Sequence, residues 1–470
     1  MAITKVATRC GVVVGRPGED AAISVFKGIP YAKAPLGELR LAPPQPCEPW
    51  EGELVCDRWS DSPVQDIGRY TTPGVAFSED CLKLNIWTPA AQSGEKLPVM
   101  LFLYGGGYNR GDSCYKTYDG EEICRSGCIF VNLNYRVSVF GFLAHSGLSA
   151  RSADGVSGNY GILDQIAALK WVRENIAAFG GDPENVTIYG QSAGGGSCRY
   201  LTASPLAKGL FRRAILMSGG SVHDSELTLD EYRALCEKIL AHVGWTLDDV
   251  LHREAFEVQN TLYKAAGEVM TALGRSPVFF FRPCVDGVVL PDAHTSAGLF
   301  DEDIDVMMGS VYGDGLRGKA EAEKFDDEYA VLRAFAYAPQ IAQARRANEK
   351  GVRPLYTYFI ERVRPGDTVP MPHGAELPYF FGTLDRFDDP WTELDRRICR
   401  TGIAYWTNFA KTGDPNGAGL PVWPPYTPET PVSMNMTDTD IVVCELAATK
   451  DERYILDCLI DQKEIAAERP

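Results

Sequence analysis

Short apolar runs alternate with longer stretches of helical periodicity along most of the chain. Pro98 to Tyr104, Ile129 to Tyr135, Val186 to Tyr189, Ala214 to Met217, Asp305 to Gly309 and Pro354 to Ile360 have strand length and read as central strands. Leu82, Leu84 and Ile86 alternate with Lys83 and Asn85, which predicts a half-buried strand. From Gly161 to Phe179 the apolar residues Ile162, Leu163, Ile166, Leu169, Val172 and Ile176 recur at three- and four-residue steps. They predict a helix that Gly180-Gly181-Asp182-Pro183 terminates. Val12 to Val14 and Ile23 to Phe26 predict a small antiparallel sheet at the edge, and residues 47–76, which lack periodicity, a long surface loop. Two helical, charge-rich stretches, about 224–273 and 318–349, read as cap insertions rather than separate domains, because no Pro/Ser-rich linker sets them apart. The alternation of strand and helix predicts an α/β protein, one domain over residues 1–470, with a mostly parallel central sheet flanked by helices.

The strand Val186 to Tyr189 runs straight into Gly190-Gln191-Ser192-Ala193-Gly194. A serine centred in G-x-S-x-G, after a strand and before a helix, is the nucleophile elbow of the α/β-hydrolase fold. Glycines two residues either side let strand, turn and helix pack closely enough to expose the hydroxyl. A serine hydroxyl needs a base within reach. This fold orders the groups along the chain as serine, acid, histidine. That order removes His145. His223, His242, His252 and His294 fall in cap or connector segments, where solvated histidines are expected, and His373 remains. Gly105-Gly106-Gly107, directly after the Pro98–Tyr104 strand, matches the fold's glycine-rich oxyanion loop, whose bare backbone N–H groups can face a developing negative charge.

Composition narrows the class. With 45% apolar and 23% charged residues the chain is ordinary for a globular protein, and no run approaches the roughly 20 apolar residues that span a bilayer. A net charge of −17 repels phosphate backbones, so nucleic acid is not an expected partner. The N-terminal sequence lacks an apolar leader, and the expected compartment is the cytoplasm. Thirteen cysteines without a C-x-x-C pair argue against a disulfide framework and a zinc site. No His/Asp/Glu cluster has ligand spacing, so no metal is expected. A monomer is expected, with a homodimer left open.

Phe179-Gly180-Gly181 with Val186, Ile188, Gly190, Ser192, Ala193 and Gly194 resembles the type-B carboxylesterase signature, of the family that includes cholinesterases and bacterial para-nitrobenzyl esterases. Glu79-Asp80-Cys81-Leu82-Lys83-Leu84-Asn85-Ile86 resembles the family's second signature. Phe26 to Ala32 is similar to its opening, and Tyr405 to Pro415 to its last helix and turn, so the likeness spans nearly the whole chain. The resemblance implies a serine carboxylesterase without cofactor, acting through an acyl-enzyme on small to medium uncharged esters. Ser192 would be nucleophile and His373, in a His-Gly-x-Glu motif, the base. Gly106, Gly107 and Ala193 would be the oxyanion donors. The acid falls on Asp314, in Gly309-Ser310-Val311-Tyr312-Gly313-Asp314-Gly315, where the family usually has G-x-x-x-D-E-G. Aspartate is one methylene shorter than glutamate, so this turn is expected to approach His373 more closely. Tyr108, Gln191 and Phe279 are the candidate substrate-binding residues, with Tyr104, Phe280 and Phe281 as further aromatics; Phe279 to Phe281 could equally be core strand packing. Arg40 with Glu79, and Arg136 with Asp164, correspond to family ion pairs. Cys81 lacks its usual upstream partner, so that framework bond is expected to be absent. Thr71, Gln191 and about Ser225 stand where cholinesterases have tryptophan, glutamate and tryptophan, which argues against choline esters. Two alternatives stay open: an amidase or carbamate hydrolase using the same triad, and a catalytically silent binding protein.

Overall fold

The computed structural model describes residues 2–66, 72–220, 226–276, 280–291, 303–351, 355–463 and 465. Its centre is an eleven-stranded sheet among the described residues. In chain order its strands are β1 (Arg16–Pro17), β2 (Ser24–Pro30), β3 (Lys83–Thr88), β4 (Leu97–Leu103), β5 (Ile129–Leu133), β6 (Gly181–Gln191), β7 (Arg213–Met217), β8 (Asp305–Val311), β9 (Leu355–Ile360), β10 (Val432–Met436) and β11 (Ile441–Glu445). The spatial order is β11-β10-β9-β8-β7-β6-β4-β5-β3-β2-β1. Pairing is parallel from β5 through β4, β6, β7, β8 and β9 to β10, and antiparallel at both margins. The continuous apolar runs are explained by burial on both faces: every residue of β5, β7 and β9 is buried. Because the strands run the same way, the loops after β4, β6, β7, β8 and β9 gather at one edge, where open parallel sheets place their ligands.

The predicted helix is present as α1 (Tyr160–Asn175), continued by a 3-10 turn over Ile176–Phe179 and closed at Gly180, whose φ of 88° suits glycine. The helix after the elbow is α2 (Ala193–Ala203). The first insertion holds α3 (Leu229–Val243), a short helix Leu247–His252 and α4 (Ala255–Ala272), with capping boxes at Thr228/Glu231 and Thr246/Asp249. Arg40 ties this insertion to the core. Its Nε donates to Glu79 Oε1 at 2.7 Å, while Nη1 donates to the carbonyls of Val250, Leu251 and Arg253 at the end of the short helix.

Three expectations need correction. Val12–Val14 does not share a sheet with Ile23–Phe26. It pairs antiparallel with Lys5–Ala7 and parallel with Glu53–Val55, while the second run joins the central sheet as β2. The stretch 47–76 is not all surface, since Ser62, Val64 and Gln65 are buried. Gln65 exchanges two hydrogen bonds with the Gly111 backbone, at 2.9 and 2.7 Å, as a neighbouring strand would, and so anchors the loop after β4. The second insertion is charge-rich only at its flanks. In α5 (Glu328–Glu349) the run Ala334 to Ala344 is buried, because the helix packs against β8, the turn Tyr312–Gly318 and the helix Lys450–Asp461. Pro339 sits inside α5, and its missing N–H leaves the Phe335 carbonyl without a helical donor. The Arg317 guanidinium supplies one, at 2.6 Å.

One disulfide, Cys10–Cys47, is present, with Cα atoms 6.5 Å apart; it is an isolated bridge and not a framework. The other eleven cysteines are free, Cys81 among them, and all but Cys444 are buried. No helix among the described residues is long and apolar enough to cross a membrane.

The Arg136–Asp164 pair is buried, with side chains 3% and 0% exposed. It is joined by a fork of bonds at 2.8 and 2.7 Å plus the Arg136 backbone N–H at 3.0 Å. Replacing Arg136 by Met leaves an uncompensated carboxylate under the sheet edge. The expected loss is about 3–5 kcal/mol of unfolding free energy, read from urea denaturation.

Candidate active site

The elbow follows from backbone sterics. Ser192 holds φ 58° and ψ −122°, a conformation that costs a non-glycine residue about 1–3 kcal/mol and persists because its surroundings fix it. Its N–H donates to Met217 O at 2.8 Å. A Cβ on Gly194 would lie 1.9 Å from Leu103 O, and one on Gly190 2.4 Å from the Gly194 carbonyl carbon, so the two flanking glycines are steric necessities. Ser192 is half-buried and stands at the N-terminus of α2, where the Ala193 N–H begins the helix without a helical acceptor.

Gly105, Gly106 and Gly107 run alongside. A Cβ on Gly105 would fall 2.6 Å from Gln191 O and 3.0 Å from Ser192 Cβ, which sets how tightly this loop is pressed on the elbow. Gly106 (φ 115°) and Gly107 (φ 63°) take conformations that favour glycine. Neither N–H meets an acceptor among the described residues, while the Gly106 carbonyl turns away to accept from Asn109 and Arg110.

Asp314 follows β8 and His373 follows β9. Nδ1–H of His373 donates to Asp314 Oδ1 at 2.5 Å, and Asp314 Oδ2 accepts the Val311 N–H at 3.2 Å. The close approach comes from Gly313. Its N–H donates to Met371 O at 3.0 Å, and a Cβ there would lie 2.8 Å from Pro372 Cα. Burial alone would lower the pKa of His373. The hydrogen bond and negative charge of Asp314 outweigh it, with Glu376 helping and Arg317 opposing, so the pKa is raised above 6.5. The His373 side chain remains 47% exposed. Its Nε2 accepts from the Gln191 carboxamide at 3.3 Å, and no hydrogen bond joins it to Ser192 Oγ among the described residues. Serine–histidine contacts are often loose before substrate binds.

A cavity of about 310 Å³ opens onto His373 and Asp314, walled by the ends of β7 and β8 and by α5. Ser192, Gln191, Gly106, Gly107, Ala193 and Tyr108 are not among the residues that line it. The Tyr108 ring packs on Phe142 and Tyr200, and the residue is 9% exposed. Tyr104 and Tyr135 stack at 4.3 Å and exchange hydroxyl bonds to each other's carbonyls. Phe280 stacks on Tyr232, with Phe281 against it, so both are core. Phe279, Thr71 and Ser225 lie outside the described residues.

A sequence model of the carboxylesterase family matches residues 2–331 and 318–453. The chain belongs to this family. The para-nitrobenzyl esterase of Bacillus subtilis is 32% identical over 93% of this chain and 95% of its own length, and the fumonisin B1 esterase of Sphingopyxis macrogoltabida is 31% identical over 89% and 84%. A Geobacillus stearothermophilus carboxylesterase crystal structure superposes with a TM-score of 0.80 at 31% identity, covering 96% of this chain and all of that one. This carboxylesterase is therefore a carboxylic ester hydrolase on the α/β-hydrolase fold.

Sequence reading gave no role to three residues near His373 in this carboxylesterase, although Glu376 closes the His-Gly-x-Glu motif. Gln340 and Gln343 face the cavity from α5; their i, i+3 spacing in an uncharged, alanine-rich stretch was the available signal. Glu376 is fully buried behind His373, and neither carboxylate oxygen has a hydrogen-bond partner among the described residues. Burial pushes its pKa up to about 7, against the opposing pull of His373. The folded chain therefore keeps a proton that the unfolded chain gives up near pH 4.5, and stability falls as pH rises from there to about 7. Glu376→Gln should escape that loss. Its stability advantage over the native chain should grow across this window to on the order of 3 kcal/mol above pH 7, in urea titrations at pH 5 and 7.5. An advantage that does not widen would mean the carboxyl is solvated.

Proposed function

We propose that Ser192, His373 and Asp314 form the catalytic triad of this ester hydrolase, with Gly106, Gly107 and Ala193 N–H groups as its oxyanion hole and small to medium uncharged carboxylic esters as substrates. The observation that carries the reading is the 2.5 Å Asp314–His373 bond set beside the strained Ser192 elbow. As substrate enters, the imidazole exchanges the Gln191 amide for the Ser192 hydroxyl and takes its proton while Oγ attacks the ester carbonyl. Asp314 fixes the tautomer and stabilises the imidazolium. The tetrahedral oxyanion forms against N–H groups that need no reorganisation. Imidazolium then protonates the leaving alkoxide, and water, activated by the same ring, hydrolyses the acyl-Ser192 ester. The para-nitrobenzyl esterase relative supports an uncharged substrate.

The helices of 229–272 and 328–349 are read as insertions of one hydrolase domain, acting as a monomer. Eleven free cysteines support a cytoplasmic location, with Cys10–Cys47 as the one oxidised pair. The test is a fluorophosphonate probe followed by peptide mass spectrometry. One label per chain, on the peptide holding Ser192, is expected. No label would favour a silent binding protein, and a label on another serine would place the nucleophile outside this triad.

A further inference from the structure

The cavity beside His373 holds more polar capacity than the triad uses. Gln340 and Gln343 are 3% and 1% exposed, and both polar atoms of each carboxamide lack a partner among the described residues. The hydroxyls of Ser218 and Ser310, on the ends of β7 and β8, are likewise unpartnered and face the same space. Buried polar groups in folded proteins are almost always bonded, and each left unmade costs about 1–3 kcal/mol. Six such atoms around one cavity therefore mark a place built to hold a hydrogen-bonding guest. A volume of about 310 Å³ is within the range of small-molecule sites.

The donor and acceptor balance selects the guest. A carboxamide and a hydroxyl each donate and accept. A carboxylate could satisfy only the donors and an ammonium only the acceptors, whereas a hydroxyl serves both. Charge agrees: the Asp314 carboxylate on one wall disfavours an anion, and the Arg317 guanidinium on another disfavours a cation. Pro339 fixes the placement. It packs on the Ser218–Gly220 turn, its Cβ 2.9 Å from where a Gly220 Cβ would stand, and so seats Gln340 and Gln343 toward the cavity on the following turn.

We propose that this cavity is a polar subsite for esters whose acyl or alcohol chain carries neutral hydroxyl groups. Gln340 and Gln343 are its specificity-determining residues. The proposal rests on the triad reading above. In an apolar pocket an added hydroxyl is poorly discriminated, but a site that hydrogen-bonds it rejects the analogue lacking it strongly.

The experiment compares kcat/KM for two matched pairs: methyl 3-hydroxybutanoate against methyl butanoate, and glyceryl monobutanoate against propyl butanoate. The native chain is expected to prefer the hydroxylated member of one pair by roughly ten-fold or more. Which pair shows it tells whether the subsite takes the acyl or the alcohol side. In Gln340→Met and Gln343→Met, with unfolding midpoints measured alongside, that ratio is expected to fall toward one. A native ratio near one in both pairs overturns the proposal without any variant. So does a preference that survives both substitutions. Turnover of neither member of either pair would be a different failure, that of the esterase reading at this site.

Discussion

Ser192→Ala is expected to lower kcat for a para-nitrophenyl ester by roughly a million-fold, the scale at which losing the nucleophile of a triad abolishes covalent catalysis. What remains should be a rate some thousand-fold above water, supplied by the oxyanion donors and substrate positioning. The structure makes this a clean test. The Ser192 backbone is held by Met217 O and by the glycine contacts around it, none of which involves Oγ. Alanine must still adopt φ 58°, as serine does, so the variant should fold with an unchanged melting midpoint. A variant that keeps more than about one per cent of native kcat would show that another group performs the attack.

Asp314→Asn should cost about a thousand- to ten-thousand-fold in kcat. The asparagine amide can offer an N–H to Nδ1, which favours the tautomer with its proton on Nε2, and that tautomer cannot take the serine proton. The pH profile provides a second readout. Asp314 is the main influence raising the pKa of His373, against burial and Arg317. Activity requires neutral imidazole, so the native rate should rise with pH through a value above 6.5. In Asp314→Asn the acid limb should move to lower pH. A large rate loss with an unmoved limb would mean that the carboxylate aligns the ring without setting its charge. A near-native rate would place the acid elsewhere.

Much of this was legible because the relevant signals are local. Strands buried on both faces are apolar along most of their length, so β4, β5, β7 and β9 could be read directly despite Asn132, Arg213 and Thr357. The elbow is dictated by steric contacts within a few residues, and the Arg40–Glu79 and Arg136–Asp164 pairs anticipated from the family are both formed. What stayed hidden depends on tertiary partners. The charges flanking α5 drew attention away from its uncharged middle, which is walled in by β8 and the helix Lys450–Asp461. An aromatic after a glycine loop carries no sign in sequence of what it packs on, which for Tyr108 is Phe142 and Tyr200. The Cys10–Cys47 bridge links residues 37 apart and has no local signature.

Gly313 and Asp314 also constrain how this enzyme can evolve. Asp314→Glu alone inserts a methylene into a gap already closed to 2.5 Å, while a side chain at position 313 alone drives the turn off Pro372 and leaves aspartate short of the imidazole. Only the simultaneous exchange restores reach and clearance together. On the proposed triad the two positions are expected to form an epistatic pair, each single exchange costing activity that the double exchange restores.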